Sequence, residues 1–347
     1  MASNLPTKLA AVGATLLILS PISSSAQNFP EMNLRYAHPF PPAMVQAQFD
    51  DWFAKEIEKR SGGKIKIRIF WSQQLGQNME MLELVGSGAV EIGSYVPSFF
   101  STRLPLSSVA NALPLAFDSA RQAQTIQSEL FELVPEMHEE VKRARIWPIV
   151  FHGVGNFRIL CTKPVSKLED FKNLRVRSYG EHVPKLWASL GAIGVTTLPP
   201  EVYEGLHRGK LDCAYFPWDL HYAFRLYEVA KYASTADFGA ITGLATMVNY
   251  DMWHSKWPAN VKKLFMDVAR DTGARDRKLN DSMVDAVLTQ MNAKHGVNIV
   301  KFSDQEKLTR IAPDFLSAWV SDMEKKGLGA QAKKVADHWR KRRAEIK

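Results

Sequence analysis

Residues 174–218 read LRVRSYGEHVPKLWASLGAIGVTTLPPEVYEGLHRGKLDCAYFPW. A short strand over 174–178 leads into a helix opening at Pro184, whose fixed φ suits a first helical turn. A second strand over 194–198 follows. The next helix opens on Pro199-Pro200-Glu201, stops at Gly209 and feeds a third strand over 211–216. Strand, helix, strand, helix, strand at this spacing is a parallel α/β unit. Ligands of such units sit outside the carboxyl ends of the strands. Arg177 stands at the carboxyl end of the first strand, and Phe216-Pro217-Trp218 at that of the third. The unit is therefore expected to form one wall of a ligand site with an arginine as its anchor.

The same alternation recurs upstream. A strand over 32–37 passes through the loop His38-Pro39-Phe40-Pro41-Pro42 to Val45, Phe49, Trp52, Phe53 and Ile57, which recur at helical spacing up to Gly62-Gly63. Residues 64–71 (KIKIRIFW) alternate strictly and place Ile65, Ile67 and Ile69 on one face. Met79, Leu82 and Val85 mark a helix stopping at Gly86-Ser87-Gly88, with a strand from Val90. A first lobe built like the second follows from this pattern. Helix is expected around 131–144 and strand over 146–151, after which His152-Gly153-Val154-Gly155 offers permissive backbone for a crossing between lobes. The first lobe is expected to comprise 27–152 and 235–347, and the second 153–234. A strand over 242–249 makes the return. One long helical pattern then runs over 259–294 with a bend or break at Gly273, and a last helix carries Leu308, Ile311, Phe315, Leu316, Trp319 and Met323.

The 347 residues suffice for two domains, and the composition is that of a globular protein. The first 26 residues differ in kind. Lys8, the apolar run LAAVGATLLIL over 9–19 and the small residues Ser24-Ser25-Ala26 form a secretory signal, with Gln27 the expected mature start and the periplasm the expected location. Export permits disulfides, yet there are two cysteines only, Cys161 and Cys213. Two buried free thiols are preferred here to a bridge, because a chain of this length can be stable without a staple. The net charge of +8 is scattered, and the one dense run, 333–347, also carries Asp337 and Glu345. It reads as a solvated terminal helix and not as a nucleic-acid surface.

Arginine suits a carboxylate because its fork matches both oxygens and its charge persists at any working pH. Arg177 is read as a ligand contact, whereas Arg175, at the start of the strand, is read as a surface or ion-paired residue. Phe216 and Trp218 are read as pocket walls, with Tyr179 and Phe99 as further candidates. His152 and His221, near the crossings, are read as structural. The nine histidines show no HExxH pair and no metal-ligand spacing, and the chain lacks a GxSxG elbow, a P-loop and a GxGxxG turn. Neither a cofactor nor a metal is expected. A secreted enzyme without a recognisable motif is the less favoured alternative to a binding protein, and a ligand sensor of the same fold is another.

Several segments together resemble the solute-binding receptors of TRAP transporters, the DctP-like extracytoplasmic proteins. They are Ser61-Gly62-Gly63-Lys64-Ile65; Gln74-Leu75-Gly76 with 82–93; Ala112-Leu113-Pro114-Leu115-Ala116-Phe117; Leu168-Glu169-Asp170-Phe171-Lys172-Asn173-Leu174-Arg175-Val176-Arg177; and Glu201-Val202-Tyr203 ahead of Gly209. The resemblance implies a two-lobe α/β binding protein with an interlobe cleft and a long helix spanning both lobes. It also implies a protein that closes on an organic acid and delivers it to a membrane permease; a monomer is expected. The family's principal arginine falls on Arg177, and a second, upstream one on Arg158. Where the family commonly has an asparagine this chain has Phe216. An acid with an aromatic or apolar body is therefore expected in preference to a C4-dicarboxylate or a sugar acid.

Overall fold

The computed structural model describes Met1 and residues 28–346; the export signal lies outside these. In chain order the strands are β1 (Met32–Ala37), β2 (Ile65–Phe70), β3 (Ile92–Tyr95), β4 (Ile146–Val154), β5 (Arg158–Cys161) and β6 (Arg175–Ser178). They continue with β7 (Ile193–Thr196), β8 (Cys213–Phe216), β9 (Tyr232–Ser234), β10 (Ile241–Asn249) and β11 (Asn298–Val300). The helices are α1 (Val45–Arg60), α2 (Met81–Gly86), α3 (Val109–Ala112), α4 (Ala120–Leu133), α5 (Pro135–Arg143) and α6 (Val183–Ser189). After these come α7 (Val202–His207), α8 (Trp218–Ala223), α9 (Ala259–His295), α10 (Gln305–Ile311), α11 (Phe315–Lys325) and α12 (Gly329–Glu345).

Two sheets organise these elements. The first has the order β2-β1-β3-β10-β4, with β1 parallel to β2 and β3, and β10 antiparallel to β3 and β4. The second has the order β11-β9-β5-β8-β6-β7. Within it β8, β6 and β7 are parallel, as the alternation over 174–218 requires, while β5 is antiparallel to β8 and β9. The chain crosses between sheets from β4 to β5, from β9 to β10 and, through α9, from β10 to β11. The first two crossing segments are stitched together: Phe157 N donates to Gly239 O (2.9 Å) and Phe238 N to Phe157 O (3.2 Å). Helix α9 packs on α1, α4 and β4 beside the first sheet and on α8 beside the second. Near its end Gln290 Nε2 donates to Tyr222 Oη (2.9 Å) and His295 stacks on Tyr227. The architecture is the expected two-lobe α/β fold with a long helix spanning both lobes.

Local expectations failed at identifiable places. Helix α9 runs its 37 residues without a break at Gly273, which is buried; a Cβ there would come within 3.3 Å of Gln124 Nε2, so this glycine marks close packing against α4. The helix expected around 131–144 is two helices, parted where Pro135 opens α5. The last expected helix likewise divides into α10 and α11 at Ala312-Pro313, since the residue before a proline is pushed out of helical geometry. His152-Gly153-Val154 is not an open crossing but the end of β4. A Cβ on Gly153 would meet Ala120 O at 2.2 Å, so glycine there admits the start of α4. Strand β11 pairs with β9, so part of the chain beyond 234 belongs to the second sheet.

The preference for free thiols is overturned. Cys161 and Cys213 face each other in the β5–β8 ladder with Cα atoms 4.1 Å apart and form a disulfide. The strand order brings together two residues 52 apart in sequence. Cutting a loop of this size is expected to cost about 2–4 kcal/mol. Urea unfolding of Cys161→Ser/Cys213→Ser against the oxidised parent measures that loss, and equal midpoints would show that the bridge contributes nothing.

The first lobe also encloses a polar cluster. His152 on β4 donates from Nδ1 to Asp276 on α9 (3.0 Å) and from Nε2 to Asp50 on α1 (3.1 Å), with all three side chains buried. Thr246 Oγ1 donates to Asp50 (2.7 Å), and Tyr36 and Ser94 continue the network. Burial alone would lower the His152 pKa, but Asp50 and Asp276 outweigh it and raise it to about 10. The cluster joins α1, the first sheet and α9 by paired charges, which accounts for how charged groups survive there. His152 is structural, as the sequence reading had it.

Candidate functional site

Strands β6 and β8 end side by side, and Arg177 lies one residue before the end of β6. Its side chain is 2% exposed. Nε donates to Thr197 O (3.2 Å) and Nη1 to Tyr215 O (3.1 Å), which hold the fork in place from the loop after β7 and from β8. The guanidinium lies over two rings, 4.2 Å from the centroid of Phe216 and 4.5 Å from that of Tyr179. Among the described residues no carboxylate forms a salt bridge with it, and Nη2 has no hydrogen-bond partner. Burial pulls its pKa down to about 10, so it is charged at neutral pH. A buried cation without a counter-ion is costly, and an anion arriving at its open edge would remove that cost.

The edge opens on a cavity of about 40 Å³. Phe40, Met44, Phe99 and Asn111 wall it from the first lobe, and Tyr179, Phe216 and Leu220 from the second. Asn111 and the Tyr179 hydroxyl are the other polar side-chain groups there, and Asn111 is already engaged. Its Oδ1 accepts from Ser98 N (2.9 Å) and its Nδ2 donates to Thr242 O and Gly243 O. The cavity therefore offers one charged anchor and one phenol hydroxyl, and otherwise ring faces and alkyl groups.

Of the residues singled out from sequence, the structure brings together Arg177, Tyr179, Phe216 and Phe99. Arg158 stands opposite Phe216 in the β5–β8 ladder, but neither it nor Trp218 lines the cavity at Arg177. Arg158 forms a salt bridge with Asp237 (2.5 Å), and both Arg158 and Trp218 line a separate hollow of about 250 Å³ with Asp281 and Asp285 of α9. An arginine already matched by a carboxylate is poorly placed to hold a second one. Arg175 is fully occupied by Asp212, to which Nε (3.0 Å), Nη2 (2.8 Å) and its backbone N (2.8 Å) all donate. His221 is buried, and that burial pushes its pKa down to about 3. Phe40, Met44, Asn111 and Leu220 escaped the sequence reading. The carboxyl-end rule, applied to β1 as it was to β6, points to the loop containing Phe40. Among the described residues no group of three or more His, Cys, Asp or Glu side chains is placed to hold a metal ion.

Residues 36–311 match the family described as bacterial extracellular solute-binding protein, family 7, the DctP family. The chain belongs to this family. Within it, the chain is a solute-binding receptor and not an enzyme. It is 22% identical to the 2,3-diketo-L-gulonate-binding periplasmic protein YiaO of Escherichia coli K12, over 95% of this chain and 99% of that one. Among solved structures it is similar to a TRAP solute-binding protein from Rhodoferax ferrireducens T118 in complex with copurified benzoate, at 20% identity and TM-score 0.78, covering 90% and 98% of the two chains. It is also similar to a TRAP periplasmic solute-binding protein from Bradyrhizobium in complex with galacturonate, at 21% identity and TM-score 0.73, covering 88% and 99%. These structures share the two-lobe fold of the receptor described here. Among its described residues no helix is long and apolar enough to cross a membrane.

Proposed function

We propose that this receptor captures an organic acid in the periplasm through a salt bridge to Arg177, and that as a monomer it hands the acid to the permease of a TRAP transporter. The observation carrying the reading is a buried guanidinium with an open edge and no counter-ion. Arg177, Phe216, Tyr179 and Phe99 are the proposed contacts. Arg158 and Trp218 line a hollow separate from the cavity at Arg177 and are not among the proposed contacts. The acid has an aromatic or apolar body, because the walls offer ring faces and the one amide is already satisfied. A polyhydroxylated acid would find the Tyr179 hydroxyl and would leave most of its own hydroxyls without partners on entry.

A thermal-shift series tests this. Ligand at a hundredfold excess over Kd stabilises the bound form by about 2.7 kcal/mol, which should raise the melting temperature by several degrees, on the order of 2–4 °C per kcal/mol for moderate domains. Benzoate- and phenylacetate-type acids and branched 2-oxo acids should shift the transition more than succinate, malate, sialic-type acids or uronic acids, and Phe216→Asn should weaken the responders. If dicarboxylates or sugar acids alone shift it, and Phe216→Asn leaves their affinity unchanged, the apolar-wall argument is wrong.

A further inference from the structure

Helix α1 begins at the cleft, where the chain leaves the carboxyl end of β1, and it lacks an N-terminal cap of its own. Its N-cap residue is Met44, which makes no side-chain hydrogen bond, and its first turn holds no acidic residue. The first amides of a helix have no intrahelical partner, so a buried helix start must find acceptors elsewhere. Val45 N finds one in the other lobe: it donates to Asp219 Oδ2 (3.0 Å), across 174 residues of sequence. Asp219 stands in the first turn of α8, just beyond the carboxyl end of β8 and three residues from Phe216. It is fully buried, its Oδ1 has no hydrogen-bond partner, and among the described residues no basic group forms a salt bridge with it. Burial raises its pKa to about 6, with the backbone donors holding it down against that rise. Phe40 and Phe224 meet edge-on between the same two segments, at a ring separation of 6.3 Å.

We propose that Asp219 is a positioning residue for solute capture: it caps helix α1 of the opposite lobe when the cleft is shut, and so favours the closed form without touching the solute. When the lobes part, Val45 N and Asp219 each return to water; when they meet, Asp219 Oδ2 satisfies the Val45 amide, while Oδ1 stays without a partner. The contact acts on the open–closed equilibrium, and a solute that binds the closed form is held more tightly by whatever fraction of closed protein the cap adds. The proposal does not depend on which acid is bound or on Arg177 as its anchor.

The test accordingly uses solute-free protein at pH 7.5, after denaturation and refolding to strip any resident molecule. Spin labels on cysteines introduced at the exposed Met79 and Leu198, on the loops after β2 and β7, report the distance between lobes, and exchange of the Val45 amide reports the contact itself. Asp219→Ala should shift the population towards longer distances and speed Val45 exchange about tenfold or more. Asp219→Asn, which keeps an acceptor, should retain the parent's distances. Unchanged distances in Asp219→Ala, or equal opening in both variants, would overturn the proposal. Failure of the acid screen with normal behaviour here would count against the proposed solute alone.

Discussion

Arg177→Ala is expected to weaken binding of the solute acid by about 2–5 kcal/mol, which is thirtyfold or more, chiefly through faster dissociation. The unliganded protein should not lose stability in step. Removing the side chain gives up two hydrogen bonds to backbone carbonyls, at Thr197 and Tyr215, but also removes a buried positive charge that has no counter-ion among the described residues. These effects oppose each other, so the melting temperature without ligand should stay close to the parent's or rise. Arg177→Lys should recover part of the affinity, because a point charge cannot reproduce the two-pronged fork. Calorimetry with the strongest acid from the screen measures both variants. Parent-like affinity in Arg177→Ala would remove this residue from the site.

The second large effect is one of stability. His152→Leu should destabilise the protein by about 3–5 kcal/mol, because it strands Asp50 and Asp276 in the core of the first lobe without their shared cation. The pH signature separates this from loss of packing. The folded His152 pKa, about 10, lies above its ordinary value near 6.5. The histidine's contribution is thus fully present below about pH 6.5 and is lost as pH rises through 10. Asp50 behaves oppositely: His152 and His38 hold its pKa well below the usual carboxylate range against the effect of burial, so its share is lost only in acid. Urea midpoints of the parent should fall between pH 6.5 and 10, and those of His152→Leu should be flatter there. A variant with the same slope as the parent would place the titrating group elsewhere.

The parts of the fold that were legible in the sequence are those fixed by neighbours in the chain. Strict alternation over residues 64–71 marks β2, and proline and glycine punctuation over 174–218 marks the β6-α6-β7-α7-β8 unit within two residues at most ends. The place of Arg177 near the carboxyl end of β6 was legible for the same reason, because a strand end is a local property. What depends on strand order was not legible. Cys161 and Cys213 sit in strands 52 residues apart, and nothing local says that β5 inserts beside β8. Arg158 resembled a second anchor, and only the crossing of the chain reveals that Asp237 already neutralises it. Asp219 is the sharpest case. In Trp218-Asp219-Leu220 it has the profile of a solvated helix start, and its bond to Val45 N follows only from the meeting of the two lobes.

The most direct measurement is the identity of the molecule the receptor carries when isolated from its own host cells. The protein is purified without added ligand, denatured, and the released small molecules are identified by mass spectrometry, with Arg177→Ala prepared in parallel. The expected result is a carboxylic acid with an aromatic or apolar body, released in near-stoichiometric amount by the parent and absent from the variant. A hydroxyl-rich sugar acid or a molecule without a carboxylate, or equal release from both proteins, would contradict it.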